Sequence, residues 1–590
     1  MAKADKHEDL LKEARERAQR SATAEADNRE CALTSIKFGD GDQWPDEIKA
    51  ERNAEGRPML VNNKLRKFIK QVSGELRKNR PAISIRPVDN GADVAGAEVR
   101  QDLIRQIEYL SNADHAYNLG GEQMLDGGYG FWRIITEFEQ DGFNQDIKIK
   151  RIPNRFTVSL DPSAQEMTYE DGNYAIVSEF ITRKEFEEKH PGITPLEFTE
   201  GQSLGESYEG WYEEDKIRIA EYFYKEFQEK DIVQLNTGEV IELKDGLDEK
   251  DLEVAGFQIV KRRKSKSHKV MWCKISGDKV LEGPKEFPSK YIPIVPVIGI
   301  EVNIEGKRHY RSLIHDAMDP MRMYNYWRTH ATELIALAPK APYIGTPKQF
   351  EGHEQMWKDA NRKNYPYLAY NDIPGVAKPA RERQVDIPTA VITEANVAAA
   401  DIMDTIGRYE ASMGQPSNER SGRAVLARKA GGDASVYTFV DNFNIAVIFT
   451  GQVLIDMIPR VYDTERVVRL RGADGKERAI PLNRVILDYE TMQPVTINDM
   501  TVGKYDFVVT TGPTYQTKRQ EIAASMLDFI QFAPQAAPVI GPHLAEVMDW
   551  PGAQEIAEEL KMLTGLPPGG GGGAPSPRPA APEMGMEGMV

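Results

Sequence analysis

A serine between glycines, Gly201-Gln202-Ser203-Leu204-Gly205, matches by letters the nucleophile elbow of acyl-transfer enzymes. That device needs an apolar strand before the serine and a helix after it. The flanks here are EFTE and ESYEG, polar and acidic, so the pattern predicts a surface loop. A nucleotide-hydrolysing site would need a glycine loop followed by Lys and Ser/Thr. The nearest sequence, Gly472-Ala473-Asp474-Gly475-Lys476, lacks the spacing and the hydroxyl, and Asp474-Gly475 reads as a hairpin turn. His353-Glu354 opens like a zinc-protease helix, but Trp357 stands where the second ligand belongs. Asp40-Gly41-Asp42 lacks the remaining ligands of a calcium loop. The nine histidines are scattered, and two cysteines, Cys31 and Cys273, form neither a disulfide framework nor a metal knuckle. The expectation is a protein with no catalytic residues, metal or cofactor.

Other residues suit recognition rather than reaction. Arg420, Arg423, Arg428 and Lys429 gather among small or polar neighbours, with Gly422 and Gly431-Gly432 permitting movement. Such cations could touch phosphates transiently or simply stay solvated. Trp357, Tyr365, Tyr367 and Tyr370 stand among Lys and Arg, as a partner-facing set or as the aromatic core of a small domain. The denser basic run Lys261 to Lys269, KRRKSKSHK, lies between Ile259-Val260 and Val270-Met271-Trp272, and reads as a hairpin with a solvated charged face.

Long helices must position these groups. One starts at Asp319-Pro320, a cap and a first-turn proline, and stops before Pro339. Its stripe comprises Ile314, Ala317, Met321, Tyr324, Trp327, Ala331, Leu334 and Ala338. A second runs from about Thr389 to Met413, with Ile392, Ala395, Ala399, Ile402, Ile406 and Tyr409 on one side and Gly414 beyond. A third, Asp433 to Ile458, is expected to stop at Pro459. Between the first two lie residues 339–386, rich in Pro, Lys and Tyr. Upstream, residues 1–30 read as a polar helix or frayed arm. Residues 94–111 and 113–125 read as helices, 127–138 as a glycine turn and strand, and 216–300 as a sheet.

Bulk properties narrow the classes. At 590 residues, several domains are expected. A net charge of −17 argues against tight wrapping of nucleic acid; it leaves room for a surface past which DNA slides without sticking, but on charge alone a protein that simply happens to be acidic is the favoured reading. No apolar h-region opens the chain, and the most apolar stretch, Asn442 to Ile455, is shorter than the roughly 20 residues a membrane span needs. The expectation is no membrane association.

Four passages, in order, resemble the P22-like portal proteins of tailed bacteriophages. They are Arg57 to Pro87 with its NNK and NRPAISIRP; Gly127 to Phe138 followed by RIPNRFTVSLDPSA; YIPIVP to APK with DPMRMYNYW; and the SGRA loop joined to YDFVVTTGPTYQTKRQE. The resemblance implies an α+β portal fold and a homododecameric ring at one capsid vertex, assembled in the host cytoplasm and carried in the virion. Double-stranded DNA would enter and leave through the ring. Terminase would dock during packaging and head-completion or tail adaptor proteins afterwards, with major capsid and scaffolding proteins as further partners.

The corresponding map is an N-terminal arm 1–34, wing 35–305, first stem helix 306–338, clip 339–386, second stem helix 387–414 and channel loop 415–432. It continues with a long wing helix 433–458, a wing β-part 459–512, crown 513–564 and a disordered tail 565–590. On this map Arg420, Arg423, Arg428 and Lys429 face DNA, and Trp357, Tyr365, Tyr367 and Tyr370 bind the clip's partner. Tyr324, Trp327, Ile402 and Ile406 join stem helices of neighbouring subunits. The rival readings are a nucleic-acid-processing enzyme of the packaging machinery and a head–tail adaptor.

Overall fold

The computed structural model describes residues 2–78, 82–87, 94–139, 142–193, 212–213, 216–236, 240–243, 257–337, 343–360, 363, 365–381, 389–407, 436–471, 477–487, 494–503, 505–510, 516–547 and 553–564. The chain separates into two compact units, Met1–Thr510 and Thr511–Val590.

The larger unit opens with α1 (Ala2–Asp40), a run without glycine or proline until Gly39. The frayed-arm alternative fails here, because α1 is packed along the body. Leu10, Leu11, Ala14 and Ala18 enter an apolar cluster with Tyr222, Cys273 and Ile275. Farther along, Arg15 donates to the Gly277 carbonyl at 2.7 Å, Ser21 to Leu160 at 2.7 Å and Asn28 to Arg308 at 2.8 Å. Charge patterning alone could not reveal this, since the arginines reach across to backbone carbonyls.

After α2 (Asp46–Ala54) and α3 (Leu65–Lys78), strand β1 (Ala82–Pro87) pairs with the last strand of the unit, Tyr505–Thr510, in the register Ile83↔Val509. Two passages that carried the resemblance thus meet across the whole unit. α4 (Val94–Leu110) and α5 (Ala113–Gly127) follow, as expected from their periodicity. Arg100 of α4 donates to the carbonyls of Met500 and Val502, and stacks 3.8 Å from the Tyr505 ring centre.

β2 (Tyr129–Phe138) and β3 (Gln145–Arg151) form a three-stranded sheet, with a strand at Ile294–Ile298 beside β2. Next come β4 (Val158–Leu160), β5 (Tyr174–Thr182) and α6 (Arg183–Lys189), whose Thr182 and Glu185 make a capping box. Then follow β6 (Tyr212–Glu213), β7 (Lys216–Leu235), β8 (Val240–Leu243), β9 (Ile259–Ile275) and β10 (Val280–Glu286). These make a seven-stranded antiparallel sheet ordered β10-β9-β7-β5-β4, with β6 and β8 also on β7. The basic run 261–269 is therefore one stretch of continuous strand, not a hairpin. β11 (Ile294–Ile298) is buried at every position, and β12 (Ile300–Ile304) and β13 (Lys307–Arg311) form a hairpin.

α7 (Met318–Leu337) matches the predicted first long helix. A small insertion follows: β14 (Tyr343–Ile344), α8 (Pro347–Phe350), α9 (Glu354–Asp359) and β15 (Ala380–Arg381), which pairs with β14. α10 (Thr389–Ile406) then returns against α7. α10 ends at Ile406, because Gly407 turns out of the helix at φ +71, so the single helix expected to reach Met413 is interrupted there; residues 408–413 lie outside the described residues.

α11 (Tyr437–Val461) continues past Pro459 to Val461. Pro459 gives up the hydrogen bond its own nitrogen would make, but the Tyr462 amide beyond it still donates to the Ile458 carbonyl at 2.9 Å, so the helix does not stop where expected. α11 is long and apolar enough by composition to cross a membrane, yet most of it is buried inside the unit. Its Phe443 meets the edge of Trp132 at 6.1 Å, and its Thr450 accepts from Trp132 Nε1 at 2.9 Å. β16 (Arg466–Arg471), β17 (Glu477–Leu482), β18 (Arg484–Leu487), β19 (Pro494–Ile497) and β20 (Tyr505–Thr510) complete the unit as paired strands.

The second unit contains α12 (Gln516–Phe532), α13 (Ala537–Val547) and α14 (Ala553–Thr564), with α13 packed on both others.

Candidate assembly and channel surfaces

The glycine-rich turn before β2 shows what the shared passages do. Gly128 sits at φ +89, a left-handed conformation that suits glycine. A Cβ on Gly130 would strike the Gly120 carbonyl and lie 2.8 Å from Gln123 Cβ. Buried Arg155, from the RIPNRF passage, donates to the carbonyls of Gln123 and Tyr129 and pairs with Asp126 at 2.5 Å. Burial is the largest influence on the Asp126 carboxyl and raises its pKa despite that arginine. In the same passage Asp161 accepts from Ser163 and from Asn173. Burial would raise its pKa, but those hydrogen bonds together bring it below the ordinary value. These residues lock one fold rather than perform a reaction.

The NNK passage has a comparable task at the paired helices. Asn325, Thr329 and Glu333 occupy successive turns of α7, and each is buried. Asn325 Oδ1 accepts from the Asn62 amide at 2.9 Å, and Thr329 Oγ1 from the Leu60 amide at 3.1 Å. Glu333 accepts from Arg52 at 3.1 Å and from Arg57 Nε at 2.6 Å. Lys64 lies over the Tyr324 ring at 4.1 Å. Hydrogen bonding, first from Arg57 and then Arg52, holds the Glu333 carboxyl down to about 2 against its desolvation. This polar seam fixes the register of α7 against residues 43–64. The apolar stripe overlooked it, although the i, i+4, i+8 spacing of Asn325, Thr329 and Glu333 was visible.

The stem residues divide. Ile402 and Ile406 are buried within the chain, as is Tyr324, while Trp327 is half-buried. Within one chain Tyr324, Ile402 and Ile406 are covered by neighbours of that same chain, so the apolar surface left open on the two helices lies elsewhere. On α10 the buried line is Val391, Ala395, Ala398, Ile402 and Ile406. Ile392, placed on the predicted stripe, is 51% exposed, because the packed face lies one position away. Met323 and Tyr326 on α7, with Ile392 and Val397 on α10, remain as exposed apolar side chains.

The insertion between the helices also divides its aromatics. Trp357 meets Tyr343 and Phe350 edge-on at 4.9 and 5.0 Å, and its Nε1 donates to the Ala369 carbonyl at 2.7 Å. It belongs to a small aromatic core. Tyr365 is half-buried, while Tyr367 and Tyr370 are exposed, Tyr367 at 72%. Arg420, Arg423, Arg428 and Lys429 lie outside the described residues.

One pairing with chemical potential was missed: Cys31 Sγ lies 3.7 Å from His315 Nδ1. Burial raises the Cys31 thiol pKa and is also the largest influence lowering that of His315, so both favour their neutral forms. An activated thiolate–imidazolium pair needs the opposite shifts. The elbow sequence 201–205 lies outside the described residues. Among the described residues no cluster of three or more His, Cys, Asp or Glu side chains is arranged to hold a metal.

The architecture is thus a mixed α+β body with a helix pair bracketing a small insertion and a buried polar network that fixes their packing. The chain matches the phage P22-like portal proteins over residues 15–587 and belongs to that family. It is similar to the portal protein of Acyrthosiphon pisum secondary endosymbiont phage 1, with 26% identity over 534 residues, covering 85% of this chain and 72% of that protein. Proteins of this family are structural rather than enzymatic components of the bacteriophage virion.

Proposed function

We propose that copies of this chain form a ring at one capsid vertex, a homododecamer as the family implies, through which double-stranded DNA is packaged and ejected. The observation that carries the ring is the exposed apolar set on the paired helices, Met323, Tyr326, Ile392 and Val397. α7 and α10 already cover their buried lines with one another and, for α7, with residues 43–64. A second copy of the chain is the occupant for what is left exposed. Acidic character over the whole chain suits walls that repel a passing duplex.

In this reading 339–386 is the clip, whose Tyr367 and Tyr370 meet terminase and later an adaptor or tail protein. Trp357 supports that surface from inside. The loop 415–432 lines the channel, with Arg420, Arg423, Arg428 and Lys429 toward the phosphates. Capsid and scaffolding proteins contact the outside, and assembly takes place in the host cytoplasm. The chain moves DNA by no chemistry of its own, so it needs no cofactor.

Replacing Tyr326→Asp together with Val397→Asp tests the contact. Analytical ultracentrifugation should show the large particle replaced by folded monomer, with unchanged circular dichroism. A large particle that persists with both substitutions would remove these helices from the ring contact.

A further inference from the structure

β7 and β9 remain paired far beyond the strands that flank them, from Ala220↔Ile275 out to Leu235↔Ile259. β5 accompanies β7 only along Lys216–Tyr224, and β10 accompanies β9 only along Met271–Ile275. Outward of Lys225 and Val270 the two strands continue as a ribbon, joined by β8 along Asp231–Gln234. About ten residues at ~3.3 Å each make an arm of roughly 33 Å. It is a folded arm: Val233 and Leu235 are buried near its end against Ile241, Phe257 and Ile259.

Charge on this arm opposes that of the chain. β9 carries Lys261, Arg262, Arg263, Lys264, Lys266 and Lys269 within a protein of net charge −17. Three of these are matched: Arg262 with Asp231 at 2.8 Å, Lys264 with Glu229 at 3.7 Å and Lys269 with Glu286 at 2.7 Å. Among the described residues Lys261, Arg263 and Lys266 make no ion pair, and all three are exposed. Along the other edge of β9, from Ile259 to Ser267, no described strand pairs.

Alternation sends Arg262, Lys264 and Lys266 to one face of the ribbon and Lys261, Arg263 and Lys269 to the other. A duplex laid on either face would meet only one set. A strand added at the edge places its own side chains beside both sets at once, so consecutive cations match consecutive carboxylates. We propose that the open edge of β9 between Ile259 and Ser267 receives an extended, Glu- or Asp-rich segment of another protein by strand addition. This inference does not depend on the ring or the channel.

The test uses the full-length protein and an end-blocked nine-residue peptide of Glu, Thr and Val with carboxylates on both faces. Comparison probes are the same peptide N-methylated at alternate amides and a short DNA duplex. Fluorescence anisotropy should show binding of the first peptide, weakened about tenfold or more by N-methylation, which removes pairing but keeps charge. Hydrogen exchange of amides within 259–267 should slow when it binds. Lys261→Glu with Arg263→Glu, both at exposed positions, should weaken binding about tenfold without changing the thermal transition. No binding would mean that the lysines merely guard the edge against aggregation. That result would overturn the proposal, as would equal affinity for the N-methylated peptide, duplex DNA slowing the same amides, or amides already slow in the free protein.

Discussion

Glu333 is the residue on which the attachment of α7 turns, since it accepts from both Arg52 and Arg57. Its carboxyl titrates near 2, below the usual carboxylate range. The associated stability is therefore complete above the ordinary value near 4.5 and is lost as pH falls toward 2. Glu333→Gln should leave two arginines facing a neutral amide and lower the free energy for local opening of α7 by about 2 kcal/mol. It should also flatten the acid-induced loss of protection between those pH values. Hydrogen exchange of the α7 amides at pH 7 and pH 3 measures both. The cysteines provide a second check. Cys273 is buried, with its thiol pushed up to about 12, and Cys31 shifts in the same direction. A thiol reagent at pH 8 should modify Cys273 only on unfolding and Cys31 slowly. Rapid reaction of Cys31 would contradict the neutral pair with His315. At this scale the sequence exposed glycine, proline and aromatic positions. It hid partners such as Arg155 and Gln123, which are 32 positions apart yet hydrogen-bonded in the fold.

Elements were legible wherever one period dominated. α4, α5, α7 and α11 follow from apolar spacing, because each buries a face against its own chain. The frayed-arm alternative for α1 and the hairpin reading of β9 failed for a shared reason. Their charges are spent on distant backbone carbonyls or across a strand pair, and periodicity does not report what a cation faces. The stem stripe taught the converse lesson: spacing located an apolar face on α10, but only the neighbouring helix decided that Ile402 lies inside and Ile392 outside. The role proposed for residues 415–432 rests on family membership and composition. Arg420→Ala with Arg423→Ala should leave the ring intact on sedimentation while lowering packaged or retained DNA several-fold in a packaging assay, because phosphate contacts are lost. Full packaging and retention by that variant would place the DNA-contacting groups elsewhere.

For the whole molecule, the family relation and the paired helices support one picture, an acidic conduit assembled from identical subunits. The exposed stem side chains supply cohesion in that picture, and repulsion between acidic walls and phosphate keeps the passage open. Nothing in that picture calls for a nucleotide loop or a metal. The most direct measurement is electron microscopy of the purified, concentrated protein viewed down the particle axis. Closed rings of repeated subunits around a hole that admits duplex DNA are the predicted result. Well-folded particles that stay single, or that close without any axial opening, would contradict the account.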